Sequence, residues 1–138
     1  MSGTGKSSAL AELARRGYRT VDTDEPGWKR GELWDEERIA RLLAEDGPTL
    51  ILSGTVVNQG RFYDRFDTVV LLSAPADVIL ERIAARTNNP WGKSPAQRDL
   101  ILEQIREVEP LLRATCTHEI DASRPLADVV ERLVEIAS

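Results

Sequence analysis

The sequence predicts an α/β fold built on a parallel sheet, and three observations predict it. Strand-type and helix-type patterns alternate along the 138 residues. Val69-Val70-Leu71-Leu72 is apolar without a break, as a strand covered on both faces should be. Gly3-Thr4-Gly5-Lys6-Ser7 runs straight into an amphipathic pattern, so a glycine-rich turn feeds a helix at the head of the series.

The elements follow in order. Lys6 to Arg16 reads as a helix with Ala9, Leu10 and Leu13 on its apolar face and Gly17 as its stop. Tyr18 to Val21 is a short strand ending in Asp22-Thr23-Asp24, and Glu25 to Gly31, with Pro26 and Gly27, reads as a loop. Asp35 to Glu45 is an amphipathic helix with Ile39, Leu42 and Leu43 inward. Thr49 to Ser53 is a buried-type strand, Asn58 to Arg65 a short helix, and Thr68 to Leu72 the clearest strand. Pro75 opens a helix to about Arg86, and Asn88 to Ser94 is a loop. Ser94 reads as an N-cap with Pro95 at the first helical position. The helix after it carries Leu100, Ile101, Ile105, Val108 and Leu112 on one stripe, and Pro110 kinks it or ends it early. Thr115 to Ile120 is the last strand, and Pro125 opens a final helix with Val129, Val130, Leu133 and Val134.

A length of 138 residues without a linker or repeat suits one domain, 1–138. Hydrophobic residues at 41% and charged residues at 30% are ordinary for a globular chain. A net charge of −5 with no basic tract argues against broad nucleic-acid binding. Cys116 is the single cysteine, so no internal disulfide forms, and its apolar neighbourhood reads as core. No stretch has the length to span a bilayer, and no signal peptide is visible, so the expected compartment is the cytoplasm.

Gly5-Lys6-Ser7 completes the second half of G-x-x-x-x-G-K-[ST], the phosphate-binding P-loop. Glycines let successive amides point at phosphate oxygens, and the helix adds its N-terminal amides and positive dipole end. On this reading Gly3, Thr4, Gly5, Lys6, Ser7 and Ser8 bind the nucleotide, Lys6 reaching the outer phosphates and Ser7 ligating Mg²⁺. The first glycine of the full pattern would fall just before Met1, and the strand that normally precedes the loop is missing from the chain. The expectation is therefore an upstream start with Met1 internal. Exposed strand edges left by that strand also offer a route to a homodimer. The alternative is a Gly/Ser-rich tail that merely contains Gly-Lys-Ser.

Asp22 and Asp24 follow a strand end, where a parallel sheet places its ligand crevice, and strand alternation sends both to one side. One can hold Mg²⁺ through water while the other orients or deprotonates a substrate hydroxyl. The alternative is a solvated acidic turn. Arg82 and Arg86 share a helix face and lead into a loop around 86–95 that reads as a lid, where an arginine can spread phosphoryl charge, the alternative being a pair of exposed helix charges. Arg113 either faces the crevice or caps a helix end, and Arg124, after the last strand, can pack against a base. Ser53-Gly54-Thr55 borders the crevice. Asn58 and Gln59 are substrate contacts, or Asn58 is an N-cap. Trp28 and Trp91 flank the crevice, Trp34 is assigned to the core, and His118 is structural or exposed.

Gly-Thr-Gly-Lys-Ser, Asp22-Thr23-Asp24, Val-Val-Leu-Leu-Ser-Ala-Pro and Glu-Arg-Ile-Ala-Ala-Arg-Thr, in that order, resemble the shikimate kinase/adenylate kinase-like branch of P-loop kinases across nearly the whole chain. The resemblance implies a three-layer α/β/α P-loop fold with sheet order 2-3-1-4-5 (strand 1 missing from this chain), ATP with Mg²⁺, and a mobile lid. It implies Lys6 and Ser7 as phosphate and metal residues, Asp22 as Mg-linked, Asp24 at the acceptor hydroxyl, Arg86 as the lid arginine and Arg113 on substrate. Where shikimate kinases carry three glycines after the third strand, this chain has Ser53-Gly54-Thr55. The expected function is transfer of the ATP γ-phosphoryl group to a small hydroxylated metabolite, with Lys6, Asp24 and Arg86 catalytic and Asp24, Gly54 and Arg113 on the acceptor. Two other readings are a nucleotide-binding module without transfer and a nucleoside monophosphate kinase.

Overall fold

The computed structural model describes residues 5–45, 47, 49–85 and 93–137. The chain runs α1 (Lys6–Arg15), β1 (Arg19–Asp22), β2 (Lys29–Arg30), β3 (Leu33–Trp34), α2 (Glu36–Ala44) and β4 (Leu50–Ser53). A 3₁₀ helix (Val57–Arg65) leads to β5 (Val70–Ser73), α3 (Ala76–Ala85), α4 (Pro95–Glu107), α5 (Glu109–Thr115), β6 (His118–Asp121) and α6 (Leu126–Ala137).

The sheet is parallel where the sequence requires it. β1 pairs with β4, Arg19 to Asp22 against Leu50 to Ser53. β5 pairs with β6, Val70 to Ser73 against His118 to Asp121. These pairs are the 2-3 and 4-5 neighbours of the expected order. Among the described residues no strand bridges β4 and β5, and a cleft of about 820 Å³ lies between them.

Successive residues of a strand point to opposite faces, and β4 shows what each face meets. Ile51 packs with Ala9 and Leu13 of α1 and Val130 of α6. Leu52 packs on the other side with Trp34, Ile39 of α2 and Phe62. A third cluster joins Leu72 of β5 to Ile79 and Ile83 of α3 and Ile101 of α4. Helices therefore cover both faces, which is the three-layer arrangement that continuous apolar strands demand.

The helix boundaries have local causes. Asp35 caps α2, its carboxylate accepting from the Arg38 amide. Ser94 caps α4 by accepting from the Gln97 amide, with Pro95 behind it. Pro110 has no amide hydrogen to give the ladder, so α4 stops at Glu107 and α5 restarts at Glu109.

Several expectations are corrected. Part of the expected loop at Glu25–Gly31 is ordered: Lys29–Arg30 and Leu33–Trp34 form an antiparallel hairpin. The last strand begins at His118, not Thr115, because α5 continues through Thr115. Leu100 is 43% exposed, so Ile101 carries the buried side of α4 instead. Cys116 is half-buried rather than core.

Candidate functional site

The site grows from the strand ends. Strand β1 stops at Asp22, whose last register partner is Ser53 of β4. Past it, the Thr23 amide still bonds the Ser53 carbonyl at 3.0 Å, and then the chain turns. The turn is closed by the Asp22 carboxylate, which accepts from the Asp24 amide at 2.9 Å. An acidic residue with its own side chain bridging two residues onward is a sequence-encoded turn.

α1 supplies the other half. Gly5 sits at its N-cap with φ of 84°, a left-handed conformation that side-chain-bearing residues rarely adopt. Gly5 carries no capping side chain, and the first helical amides have no intrahelical partner, so those of Lys6, Ser7 and Ser8 can serve an anion. Lys6 Nζ lies 3.7 Å from Asp24 Oδ2. Ser7 Oγ donates to Asp22 Oδ2 at 3.5 Å. Helix start and acidic turn, well apart in sequence, thus meet at one end of the sheet.

A third cation joins them. Lys29 Nζ lies 2.9 Å from Asp24 Oδ1. Partial burial pushes the Asp24 carboxyl up, but the Lys29 hydrogen bond and the charges of Lys6 and Lys29 outweigh it and hold the group below the usual carboxylate range. Sequence reading missed Lys29 by assigning it to a loop. Its signal was Gly31-Glu32, a two-residue Gly-X linker between Lys29-Arg30 and Leu33-Trp34, which is hairpin chemistry.

The remaining candidates fall elsewhere. Gly54 sits beside Thr23 and Trp34. Asn58 is neither an N-cap nor open to a ligand: it is buried, accepting from the Trp34 amide and donating to the Trp34 carbonyl, both at 3.1 Å. Gln59 accepts from the Val56 amide and donates to Tyr63 Oη. Trp28 lies under the Arg38 guanidinium, 4.9 Å from its ring centroid.

Arg113 belongs to a separate group. Its Nε donates to Glu119 at 2.8 Å and its Nη2 to Glu109 at 2.6 Å. Those two carboxylates raise the guanidinium's pKa further. Arg82 and Arg124 both lend charge to Asp121 at the end of β6, where Ser123 is the main cause of a lowered carboxyl pKa. Gly3, Thr4, Arg86 and Trp91 lie outside the described residues, as does most of the expected lid at 86–95.

Among the described residues no cluster of three or more acidic, histidine or cysteine side chains offers a metal cage. The oxygens of Ser7 and Asp22 make a hard, sparse donor pair, the kind that suits a cation keeping most of its shell from water and phosphate. No helix among them is long and apolar enough to cross a membrane.

No protein-family model matches the chain. It is 25% identical to "Shikimate kinase 2" of Yersinia enterocolitica, covering 97% of this chain and 90% of that protein. It is 29% identical to "Shikimate kinase 2" of Sodalis glossinidius, covering 96% and 89%. Among solved structures, shikimate kinase from Acinetobacter baumannii in complex with shikimate superposes with a TM-score of 0.70 at 21% identity, over 97% of this chain and 87% of that one. A Thermus thermophilus crystal structure gives 0.62 at 20%, over 98% and 91%. At these identities the superpositions establish the fold, and the sequence relatives carry the activity type. The fold is thus that of the shikimate kinase-type P-loop proteins, and in sequence the chain is similar to shikimate kinases, a likeness that points to an ATP-dependent phosphotransferase.

Proposed function

We propose that this chain transfers the γ-phosphoryl group of ATP to a hydroxyl of a small metabolite in the cytoplasm. The observation that carries the reading is the meeting of Lys6 and Ser7, at a helix start, with Asp24 and Asp22, at a strand end. Phosphoryl transfer asks for positioning and charge stabilisation rather than covalent chemistry, and this set offers both.

The amides of Lys6, Ser7 and Ser8 would take phosphate oxygens, and the Lys6 ammonium would follow the outer phosphates. Ser7 directly, and Asp22 through water, would hold Mg²⁺, which when bound neutralises charge on the phosphates. Asp24 would receive the acceptor hydroxyl. Its Oδ1 meets Lys29 and its Oδ2 meets Lys6, yet an ionised carboxylate has about four lone-pair sites, so room for a hydroxyl hydrogen bond remains. Gly54 would border the acceptor, with Arg113 as a further contact once freed from its carboxylates. Arg86 and Arg124 enter this reading from the sequence, as lid arginine and base contact, in a single domain with its lid around 86–95.

The test is a phosphoryl-transfer screen against a panel of hydroxylated metabolites with shikimate among them. Lys6→Ala should abolish ATP binding or turnover. Asp24→Asn should cut turnover by about 10²–10⁴-fold, the usual weight of a positioned acid–base group, and leave ATP affinity within about threefold. Turnover equal to wild type in both variants would sink the reading.

A further inference from the structure

Of Asp22, Thr23 and Asp24, only the middle residue is wholly buried, at 0% exposure. The hydroxyl of a buried threonine needs partners, and this one has two. It donates to the Ser53 carbonyl at 2.7 Å and accepts from the Trp34 indole Nε1–H at 3.0 Å. The same Ser53 carbonyl takes the Thr23 amide. Thr23 is therefore gripped by backbone and side chain together at the point where the strand ends and the carboxylate turn begins.

The indole cannot drift either. Asn58 bonds both backbone groups of Trp34, donates on to Glu36 at 3.1 Å, and Glu36 pairs with Arg61. The Trp34 ring packs on Phe62 with centroids 6.0 Å apart. Gly54 completes the fit, because a Cβ there would sit 2.0 Å from Thr23 Oγ1. Lys29, the register partner of Trp34 across the hairpin, reaches Asp24. One short hairpin thus touches the turn twice, at its buried centre and at its exposed carboxylate.

The geometry points to Thr23 and Trp34 as positioning residues, whose hydrogen bond locks the Asp22–Asp24 turn onto β4 so that both carboxylates face Lys6 and Ser7. Its consequence for turnover rests on the kinase reading above; the lock itself does not. Without it the turn would be tied to β4 only through backbone bonds at a strand end, and chain segments past a strand end move readily. Effects of this kind appear in turnover rather than in nucleotide affinity, because small misplacements of reacting groups are costly to rate.

Amide hydrogen exchange and steady-state kinetics, run on the full chain, test this together. Thr23→Val keeps the shape and removes the hydroxyl; Thr23→Ser keeps the hydroxyl. In Thr23→Val the Asp24 amide should exchange about tenfold faster, as loss of the two hydrogen bonds of the hydroxyl allows. The core amides of α1 should hold, kcat should fall about tenfold and the KM for ATP should stay within twofold. Thr23→Ser should recover both readouts. Should Thr23→Val not fold, Trp34→Phe removes the indole donor while keeping a ring, and the same signature is expected. An unchanged Asp24 amide overturns the lock, and so does acceleration spread evenly over β1 and β4, which would mean general loosening. A wild-type chain without phosphoryl transfer would defeat the kinase reading, while the exchange pattern would still decide the lock.

Discussion

Gly54 shows how a single missing atom fixes a site. Any side chain there would place its Cβ 2.0 Å from Thr23 Oγ1 and 3.4 Å from Trp34 Nε1. The first distance lies far inside van der Waals contact, and the neighbour is a buried hydroxyl already holding two hydrogen bonds. Gly54→Ala should therefore destabilise by about 1–3 kcal/mol, the usual range for overpacking, read as a lower urea midpoint at unchanged slope. A midpoint equal to wild type would mean that the Thr23 turn yields cheaply. Residue-level legibility was uneven, for a physical reason. Lys6, Ser7, Asp22 and Asp24 were visible in sequence because charged and glycine-bound residues at element ends have few other uses. Thr23 and Trp34 were not: a threonine between two acids looks like a spacer, and a tryptophan in an aromatic-poor chain looks like core. What makes them matter is a contact across eleven positions that no local pattern announces.

Elements were legible in proportion to their length and their caps. The helices announced themselves through their apolar periodicity, and α4 also through Ser94 and Pro95, which stand at the N-cap and in the first turn as their types suggest; the cap that Asp35 gives α2 was not read from the sequence. The hairpin of β2 and β3 escaped because two-residue strands are too short for any periodicity to register. Between elements, the tie from α5 to the β5–β6 pair is electrostatic. Glu119 of β6 accepts from Arg113 of α5 and from Ser73 of β5, and these hydrogen bonds, Arg113's first, hold its carboxyl below the ordinary range. A carboxylate with a depressed folded-state pKa stabilises the fold above its unfolded pKa of about 4.3 and loses that contribution as pH falls through the folded value. Glu119→Gln should therefore lag wild type in urea stability at pH 7, by a small margin because both partners reach solvent. The gap should close in acid below about pH 4. A gap of the same size at pH 3 would assign the role of Glu119 to shape and not to charge.

At the scale of the whole molecule, the two halves of the sheet face each other without a hydrogen-bonded strand between them among the described residues. Backbone parity tells which groups border the cleft. The carbonyls of Thr49 and Ser53 face β1, since they accept from the Arg19 and Thr23 amides. Groups of Leu50 and Leu52 therefore face the other way, toward the cleft. On the far side, the Val69 and Ser73 carbonyls face β6, accepting from Thr117 and Ala122, so Val70 and Leu72 face the cleft from β5. Two strand edges that pair with no further strand among the described residues, bordering about 820 Å³ of space, form a template for any extended chain, a second copy included. In dilute solution the amides of Leu50, Leu52, Val70 and Leu72 should exchange much faster than those of Ile51 and Leu71, which sit in the same strands but point to paired neighbours. Raising the protein concentration should protect those four amides as copies associate, and sedimentation should show larger species in parallel. Val70→Lys, which sets a charge on the edge, should suppress both effects. Full protection of the four at the lowest concentration would contradict this account, because it would mean that something within one copy already bonds both edges.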